Sequence, residues 1–379
     1  MTKNLILSAF ILFIFSTLKA QINPIESPYY QQGNYTVVSD SDMTAISVPL
    51  LFYYPQTTGN YPVFMFQLGA NGLGSSVINR HTYDLFMKHL ASYGVVVIVI
   101  DDSQAGFPNG TTFKAAHTWY KSKCIDNNHW LSTYADVDKF IVGGHSNGGV
   151  NASALLVDRP TEVNGIVFFD SYPSPGTFGF GAHDVSNYTG KELTMAANEN
   201  VPDTYKGGYT QFTSSTCKTY VNIEGLDHGG FGDYVLASQP VGPIGRENAT
   251  ASIRHFFVSW ILSEFTNNSN ATIQLATTSL HPTTTKEFLN DCGTVGTREP
   301  EKKSIVIYPN PVNDFLYIEN CLANSDIKIY NTTGQIVYEV DNKQGNISID
   351  LSSYSKGMYL LKITDANNGI RLTERLIKR

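Results

Sequence analysis

The sequence predicts an α/β protein, with a mostly parallel sheet covered by helices on both faces, followed by a small C-terminal β-sandwich. Three observations predict it. Between residues 46 and 265, short apolar runs alternate with segments of helical spacing, the rhythm of strand–helix–strand units. Gly143-Gly144-His145-Ser146-Asn147-Gly148-Gly149 stands between the apolar run Phe140-Ile141-Val142 and a stretch of small, helix-compatible residues, which reads as strand, sharp turn, helix. Beyond residue 303 the pattern becomes short alternating strands separated by turn residues, as in a sandwich.

Residues 1–20 form a separate element. Lys3 gives a positive start, Leu5 to Phe15 is apolar apart from Ser8, and Ser16 to Ala20 leads to Gln21. This is the pattern of a secretory signal peptide, and the run is short for a bilayer span. No later stretch is long and apolar enough to cross a membrane, so the mature protein is expected to carry no span and to be an exported monomer.

Ile46 to Tyr54 alternates at period two and reads as a strand. Pro49 inside it cannot donate to a ladder, which argues for an edge position. Pro62 to Phe66 reads as a buried strand, and the loop Gln67 to Gly74 after it holds three glycines. A helix is expected from Tyr83 to Ser92, with Leu85, Phe86 and Leu90 inward and Gly94 at its C-cap. Val95 to Ile100 is an unbroken aliphatic run, suited to a parallel strand covered on both faces. Phe140–Val142, Gly165–Phe169, Leu193–Ala197 and Thr219–Ile223 continue the series. Ile253, Phe256, Phe257, Trp260, Ile261 and Phe265 recur at helical spacing, giving a final amphipathic helix whose aromatics are core, with His255 on its outer part.

The serine turn is the candidate for chemistry. A turn that lifts Ser146 out of a sheet strains its backbone and brings strand and helix nearly into contact, so the residues two before and two after must be small. Gly144 and Gly148 meet that need. A serine hydroxyl needs a base, and the base an orienting acid. In strand–turn–serine–helix enzymes the chain order is serine, acid, histidine. His228, in a glycine-rich loop past the last strand, is the candidate base. Asp170, at the carboxyl end of Gly165–Phe169, is the candidate acid, ahead of Glu199 and Asp203. A charge directly after Val-Phe-Phe needs a partner, and an imidazole N–H supplies one. His145 is too tightly held in the turn to serve. The backbone N–H groups of Asn147 and Ala70 are the candidate oxyanion donors.

The formal net charge is −7, and losing Lys3 and Lys19 with residues 1–20 takes it to −9. Residues 21–300 carry 14 Lys+Arg against 24 Asp+Glu, which leaves no electrostatic footprint for nucleic acid. No Cys-x-x-Cys or His-x-x-x-His spacing suggests a metal, and the chemistry requires no cofactor. Of the four cysteines, Cys217 and Cys292 are the expected disulfide, because the final helix returns the chain toward the strand that Cys217 opens.

Residues 30–265 resemble an α/β-hydrolase. Pro62 to Asp101, and the run Tyr134-Ala-Asp-Val-Asp-Lys-Phe-Ile-Val-Gly-Gly-His-Ser-Asn-Gly-Gly149, are similar to two groups: platelet-activating-factor acetylhydrolases with plant chlorophyllases, and bacterial cutinase-like polyester hydrolases. In the first group the acid stands where Asp170 is. In the second it follows the next strand, where this chain has Asn200. Polyester hydrolases that attack polyethylene terephthalate carry an aromatic, a methionine and a tryptophan where this chain has Ala70, Asn147 and Tyr172, and the usual His-Gly of the oxyanion loop is Leu68-Gly69 here. The resemblance implies a secreted serine hydrolase of carboxylic esters, with a cutinase-like polyesterase or lipase, or an inactive binding protein of the same fold, as its rivals. Residues 293–303 read as a charged linker. In 304–379, Tyr308-Pro-Asn-Pro311, Asn331-Thr-Thr-Gly-Gln335, Lys356-Gly-Met-Tyr359 and Arg375-Leu-Ile-Lys-Arg379 resemble the sorting domain of type IX secretion cargo. That implies the secretion machinery as partner and export across both membranes.

Overall fold

Apolar runs, aliphatic and aromatic, make the central strands of the first unit, and helices joined by short loops return the chain between most of them. The computed structural model describes residues 21–70, 78–103, 109–173, 183–233, 240–292, 306–365 and 370–379. The signal peptide and the linker expected at 1–20 and 293–303 lie outside the described residues. The chain divides into two compact units, residues 1–292 and 293–379.

In chain order the first unit contains β1 (Val37–Asp42), β2 (Leu50–Pro55), β3 (Tyr61–Gln67), α1 (Asp84–Ala91), β4 (Val96–Ile100), α2 (Thr111–Cys124), α3 (Leu131–Tyr134), β5 (Ala135–His145), α4 (Asn147–Asp158) and β6 (Gly165–Phe169). Then come β7 (Lys191–Ala197), α5 (Pro202–Thr210), β8 (Cys217–Ile223), α6 (Arg246–Thr266), α7 (Ser269–Ala276) and β9 (Thr285–Asn290). The nine strands form one sheet in the order β1-β2-β4-β3-β5-β6-β7-β8-β9. The six strands from β4 to β8 in that order are parallel, and β1, β2 and β9 are antiparallel to their neighbours.

Period-two alternation divides the side chains between two cores. Phe64, Phe66, Val97, Val99, Ile141 and Val167 face α1 and α6. Val63, Met65, Ile98, Phe140, Val142 and Phe168 face α2 and α4, whose Phe113, Tyr120, Ala152 and Leu155 fill the other layer. Both faces being covered is why these strands read as continuous apolar runs. The register sets Gln67 beside Gly144, His145 beside Phe169, and Ala197 beside Ile223. The residues after β3, β5, β6, β7 and β8 therefore collect along one edge, as expected for sheets of this kind.

Several expectations are corrected. Pro49 lies just outside β2, and β2 is not an edge strand, because β1 pairs with it antiparallel from Val37–Pro55 to Asp42–Leu50. Thr219–Ile223 does not end the sheet, since β9 adds to it. Both missed strands are polar and half-buried at best, so neither shows the apolar pattern that marks a covered strand. Leu85 is 54% exposed; the inward stripe of α1 is Phe86, Met87, Leu90 and Ala91. His255 is fully buried and bonds Ser27 Oγ at 2.9 Å. Helix α6 is covered on both sides, because α7 and the short 3-10 turn Pro24–Glu26 pack over the face expected to meet solvent. The Cys217–Cys292 disulfide forms across the β8–β9 pair. Among the described residues, the one Cys/His/Asp/Glu cluster with metal-ligand spacing is Cys217, Glu264 and Cys292, and its sulfurs are joined to each other. No helix among the described residues is long and apolar enough to cross a membrane.

The second unit is an antiparallel sheet of five strands: β10 (Val306–Tyr308), β11 (Phe315–Tyr330), β12 (Ile336–Asp350), β13 (Gly357–Asp365) and β14 (Ile370–Lys378). Register shifts in the β11–β12 pair between Ile318 and Ile327 divide that ladder into two halves. Val312, just past β10, forms an isolated bridge to Lys378 at the end of β14, and its N–H donates to the Ile377 carbonyl at 2.7 Å. Leu316, Ile318, Ile327, Ile329, Leu361 and Leu376 fill the enclosed core.

Candidate active site

Ser146 caps α4 with φ 52° and ψ −125°, a conformation that costs free energy in any residue with a side chain. Its N–H donates to the Phe169 carbonyl at 3.0 Å, and its own carbonyl accepts from Ser171 Oγ at 2.6 Å. The strand–helix contact explains the glycines. A Cβ on Gly144 would meet the Gly148 carbonyl carbon at 2.2 Å, and a Cβ on Gly148 would meet the Gln67 carbonyl oxygen at 2.2 Å. Both clashes are with backbone, which cannot swing away.

Asp170 follows β6 with φ 45° and no exposed surface. Its N–H donates to the Met195 carbonyl at 2.8 Å, which fixes the turn against β7. Oδ1 accepts from the Ala197 N–H at 2.7 Å, and Oδ2 accepts from Asn200 Nδ2 at 2.8 Å. His228 Nδ1 lies 2.5 Å from Oδ2. A buried carboxylate is retained only where several donors replace its water, and this one has three.

His228 opens the short 3-10 turn His228–Phe231. Asp227 Oδ1 accepts its N–H at 2.7 Å, and Arg246 Nη1 donates to the carbonyls of Gly230, at 3.0 Å, and of Gly232. The glycine-rich loop is thereby held from both ends. With Nδ1 facing Asp170, the other ring nitrogen is the one available to a proton-donating hydroxyl. Glu199 and Asp203, the competing acids, are both exposed; the Glu199 carboxylate accepts from Asn198 Nδ2 at 3.1 Å.

Asn147 is the first residue of α4, so its N–H has no intrahelical acceptor. Ala70 follows Gly69, whose N–H is directed to the Tyr83 hydroxyl at 3.4 Å. That hydroxyl also bonds His145 Nδ1 at 2.6 Å. His145 is buried, and its ring centroid lies 4.4 Å from that of His228. Burial, with the neighbouring His228 charge second, holds the His145 pKa well below the usual histidine value, and burial pushes that of Tyr83 up. His145 is thus a neutral ring packed beside His228. Tyr172, which stands where the polyester hydrolases carry a tryptophan, packs against Tyr205 with centroids 5.7 Å apart. Sequence reasoning missed Tyr83, Arg246 and the contacts of Asn200, because each acts on a residue distant along the chain and none stands in a motif.

Comparisons with known proteins agree with this architecture. Residues 124–239 match the model of the α/β hydrolase family, and residues 23–166 match that of chlorophyllase. Residues 306–379 match the secretion system C-terminal sorting domain. β-Agarase A of Zobellia galactanivorans is 31% identical over 273 residues, covering 62% of this chain and 46% of that protein. The chain therefore spans less than half the length of that curated relative. The first unit has the α/β-hydrolase fold. The chain ends in a type IX sorting domain, which marks it for export to the cell surface or beyond.

Proposed function

We propose that this protein is a secreted serine hydrolase that cleaves carboxylic esters through a Ser146-His228-Asp170 triad. The observation that carries the reading is the 2.5 Å contact between His228 Nδ1 and a buried, triply bonded Asp170 carboxylate, on the sheet edge that also presents the strained Ser146. The match to the chlorophyllase model supports the same group of relatives.

Ser146 Oγ attacks the ester carbonyl while His228 takes its proton at Nε2. The N–H groups of Asn147 and Ala70 stabilise the oxyanion. His228 then protonates the leaving alcohol, the acyl group remains on Ser146, and water activated by the same histidine releases it. Asp170 holds the ring tautomer and balances the imidazolium charge. Each part is worth orders of magnitude: loss of one oxyanion donor costs about 10²–10³ in turnover.

Around this centre, residues 1–20 act as the signal peptide and residues 304–379 engage the secretion machinery before removal near 293–303. The mature enzyme is a monomer with no cofactor. No activity is carried over from the agarase.

The test is hydrolysis of p-nitrophenyl esters from acetate to palmitate by the purified protein beside Ser146→Ala. Serine-dependent turnover of short chains supports the reading, and a peak at long chains moves it to a lipase or polyesterase. No turnover at any length, with no labelling of Ser146 by a fluorophosphonate, would sink the enzymatic reading.

A further inference from the structure

Helix α1 opens without a cap of its own: the side chain of Tyr83, at its N-cap position, bonds no backbone N–H of the first turn. The missing acceptor comes from 148 residues further along the chain. Oδ2 of Asp233 accepts the Leu85 N–H at 2.5 Å, and the Asp233 N–H donates to the Thr82 carbonyl at 2.6 Å. Asp233 thus grips the helix start on both sides of Tyr83 and satisfies an orphan first-turn donor. It stands just beyond the His228–Phe231 turn. Arg246 holds the carbonyls of Gly230 and Gly232 in that stretch. A Cβ on Gly232 would come within 3.0 Å of Thr82 Cγ2, so the loop lies directly against the helix start. The Phe231 ring packs on His145 and Phe169, with centroids 5.8 and 5.4 Å apart. On its other side, Tyr83 reaches His145 Nδ1 and the Gly69 N–H. The start of α1 is therefore held by the loop of the proposed base, and itself holds the loop of the proposed oxyanion donor Ala70.

We propose that Asp233 is a positioning residue of the hydrolase: by capping α1 from the His228 loop, it fixes the spacing between the base and the oxyanion loop. The inference rests on the triad reading above. The bonds of Asp233 run to Leu85 and Thr82, so its effect on turnover passes through the two loops and not through the reacting atoms. Removing the carboxyl frees the Leu85 N–H and leaves the backbone bond to Thr82 as the link between Asp233 and the helix. A misplacement of about 1 Å can cost about 100-fold in rate. A loop still held by Arg246 moves less, which sets the expected loss at about tenfold. Asparagine keeps an acceptor of the same reach, and it caps helices as well as aspartate does.

The test compares p-nitrophenyl acetate hydrolysis by the full chain with Ser146→Ala, Asp233→Ala, Asp233→Asn, Asp233→Glu and Asn268→Ala, each with its melting curve. Asn268 Oδ1 accepts the Ala271 N–H at 3.0 Å and caps α7, a helix that carries none of the groups named for the reaction. Asp233→Ala is expected to lower kcat about tenfold with KM unchanged, and Asp233→Asn to bring it back to within about threefold of the unaltered chain. Asn268→Ala should lower the melting temperature by a similar margin and leave kcat unchanged. Unchanged kcat in Asp233→Ala, or a loss that Asp233→Asn does not recover, overturns the inference and leaves the triad standing. An equal loss of kcat in Asn268→Ala overturns it too, because lost stability alone would then account for the effect. If Asp233→Ala does not fold, Asp233→Glu decides: it keeps the charge and lengthens the link by a methylene, and unchanged kcat overturns the positioning role. Turnover that survives in Ser146→Ala, or is absent from the unaltered chain, overturns the triad reading itself, and the inference with it.

Discussion

The Tyr83 hydroxyl lies 2.6 Å from Nδ1 of His145 and 3.4 Å from the Gly69 nitrogen. One buried phenol thus ties the loop that carries Ala70 to the residue before the nucleophile. Tyr83→Phe keeps the ring packing and deletes both bonds, leaving a buried imidazole nitrogen and a buried N–H without that partner. Each orphan costs about 1–3 kcal/mol. The expected result is a lower melting temperature together with a several-fold drop in kcat, because the oxyanion donor and the ring beside His228 both loosen. A variant that melts lower with unchanged turnover would mean that the phenol supports the fold alone.

The contrast between Ser146 and Tyr83 marks what the sequence made legible. Ser146, Asp170 and His228 follow strand ends, and strand ends are set by local apolar runs, so their common edge could be argued from the chain. The glycines at 144 and 148 were readable for the same local reason. Tyr83 and Asn200 act through contacts with residues 62 and 30 positions away, and such pairings depend on tertiary packing that no local pattern records. The outer strands β1 and β9 escaped for a related reason: they pair with the sheet without being buried by it, so they carry no periodic apolar signature. His255 was misplaced because helical spacing cannot show that a second layer, α7 and the turn at Pro24–Glu26, covers the outward face.

Ser146 stores backbone strain at φ 52°. A non-glycine residue in such a region costs on the order of 1–3 kcal/mol. Ser146→Ala retains the Cβ and hence the strain, whereas Ser146→Gly removes it. Glycine elsewhere is less stable than alanine by roughly 0.5–1 kcal/mol. Here the order should invert, with Ser146→Gly the more stable by about 1 kcal/mol in urea unfolding, and both variants inactive. Alanine equal to or above glycine would mean that the turn is not strained.

The Cys217–Cys292 disulfide closes a separation of 75 residues and pins the antiparallel edge strand β9 to β8. Chain-entropy arguments put the stabilisation of such a loop at up to about 4.5 kcal/mol. The double variant Cys217→Ser/Cys292→Ser should therefore lose several degrees of melting temperature while keeping kcat, since β9 lies at the sheet edge and supplies none of the proposed catalytic groups. A fall in kcat without a fall in stability would contradict the assignment of this bond to the scaffold.

Stability should fall as the solution is acidified from pH 6.5. His89, His117 and His255 are buried, and burial lowers their pKa values to about 3, 4 and 3. Each accepts no proton in the folded state until well below the usual value of 6.5, whereas the unfolded chain takes one up through 6.5. The unfolded state then binds more protons, and stability is lost as pH drops, at about 1.4 kcal/mol per pH unit for each histidine. Asp233 opposes them. Burial raises its pKa to about 7, so the folded state holds that proton, and its contribution is greatest at low pH and lost as pH rises toward 7. Three of these groups against one give a net slope of about 3 kcal/mol per unit between pH 5 and 6; His145, held neutral by burial, acts with the histidines, and Glu192, whose pKa burial raises, acts with Asp233, so the two offset each other. Urea midpoints at pH 5.0, 5.5 and 6.0 measure it. His255→Gln should flatten the slope by about one proton's worth, and Asp233→Asn should steepen it by the same amount. Stability that rises on acidification through this range would show that the histidines are not held neutral.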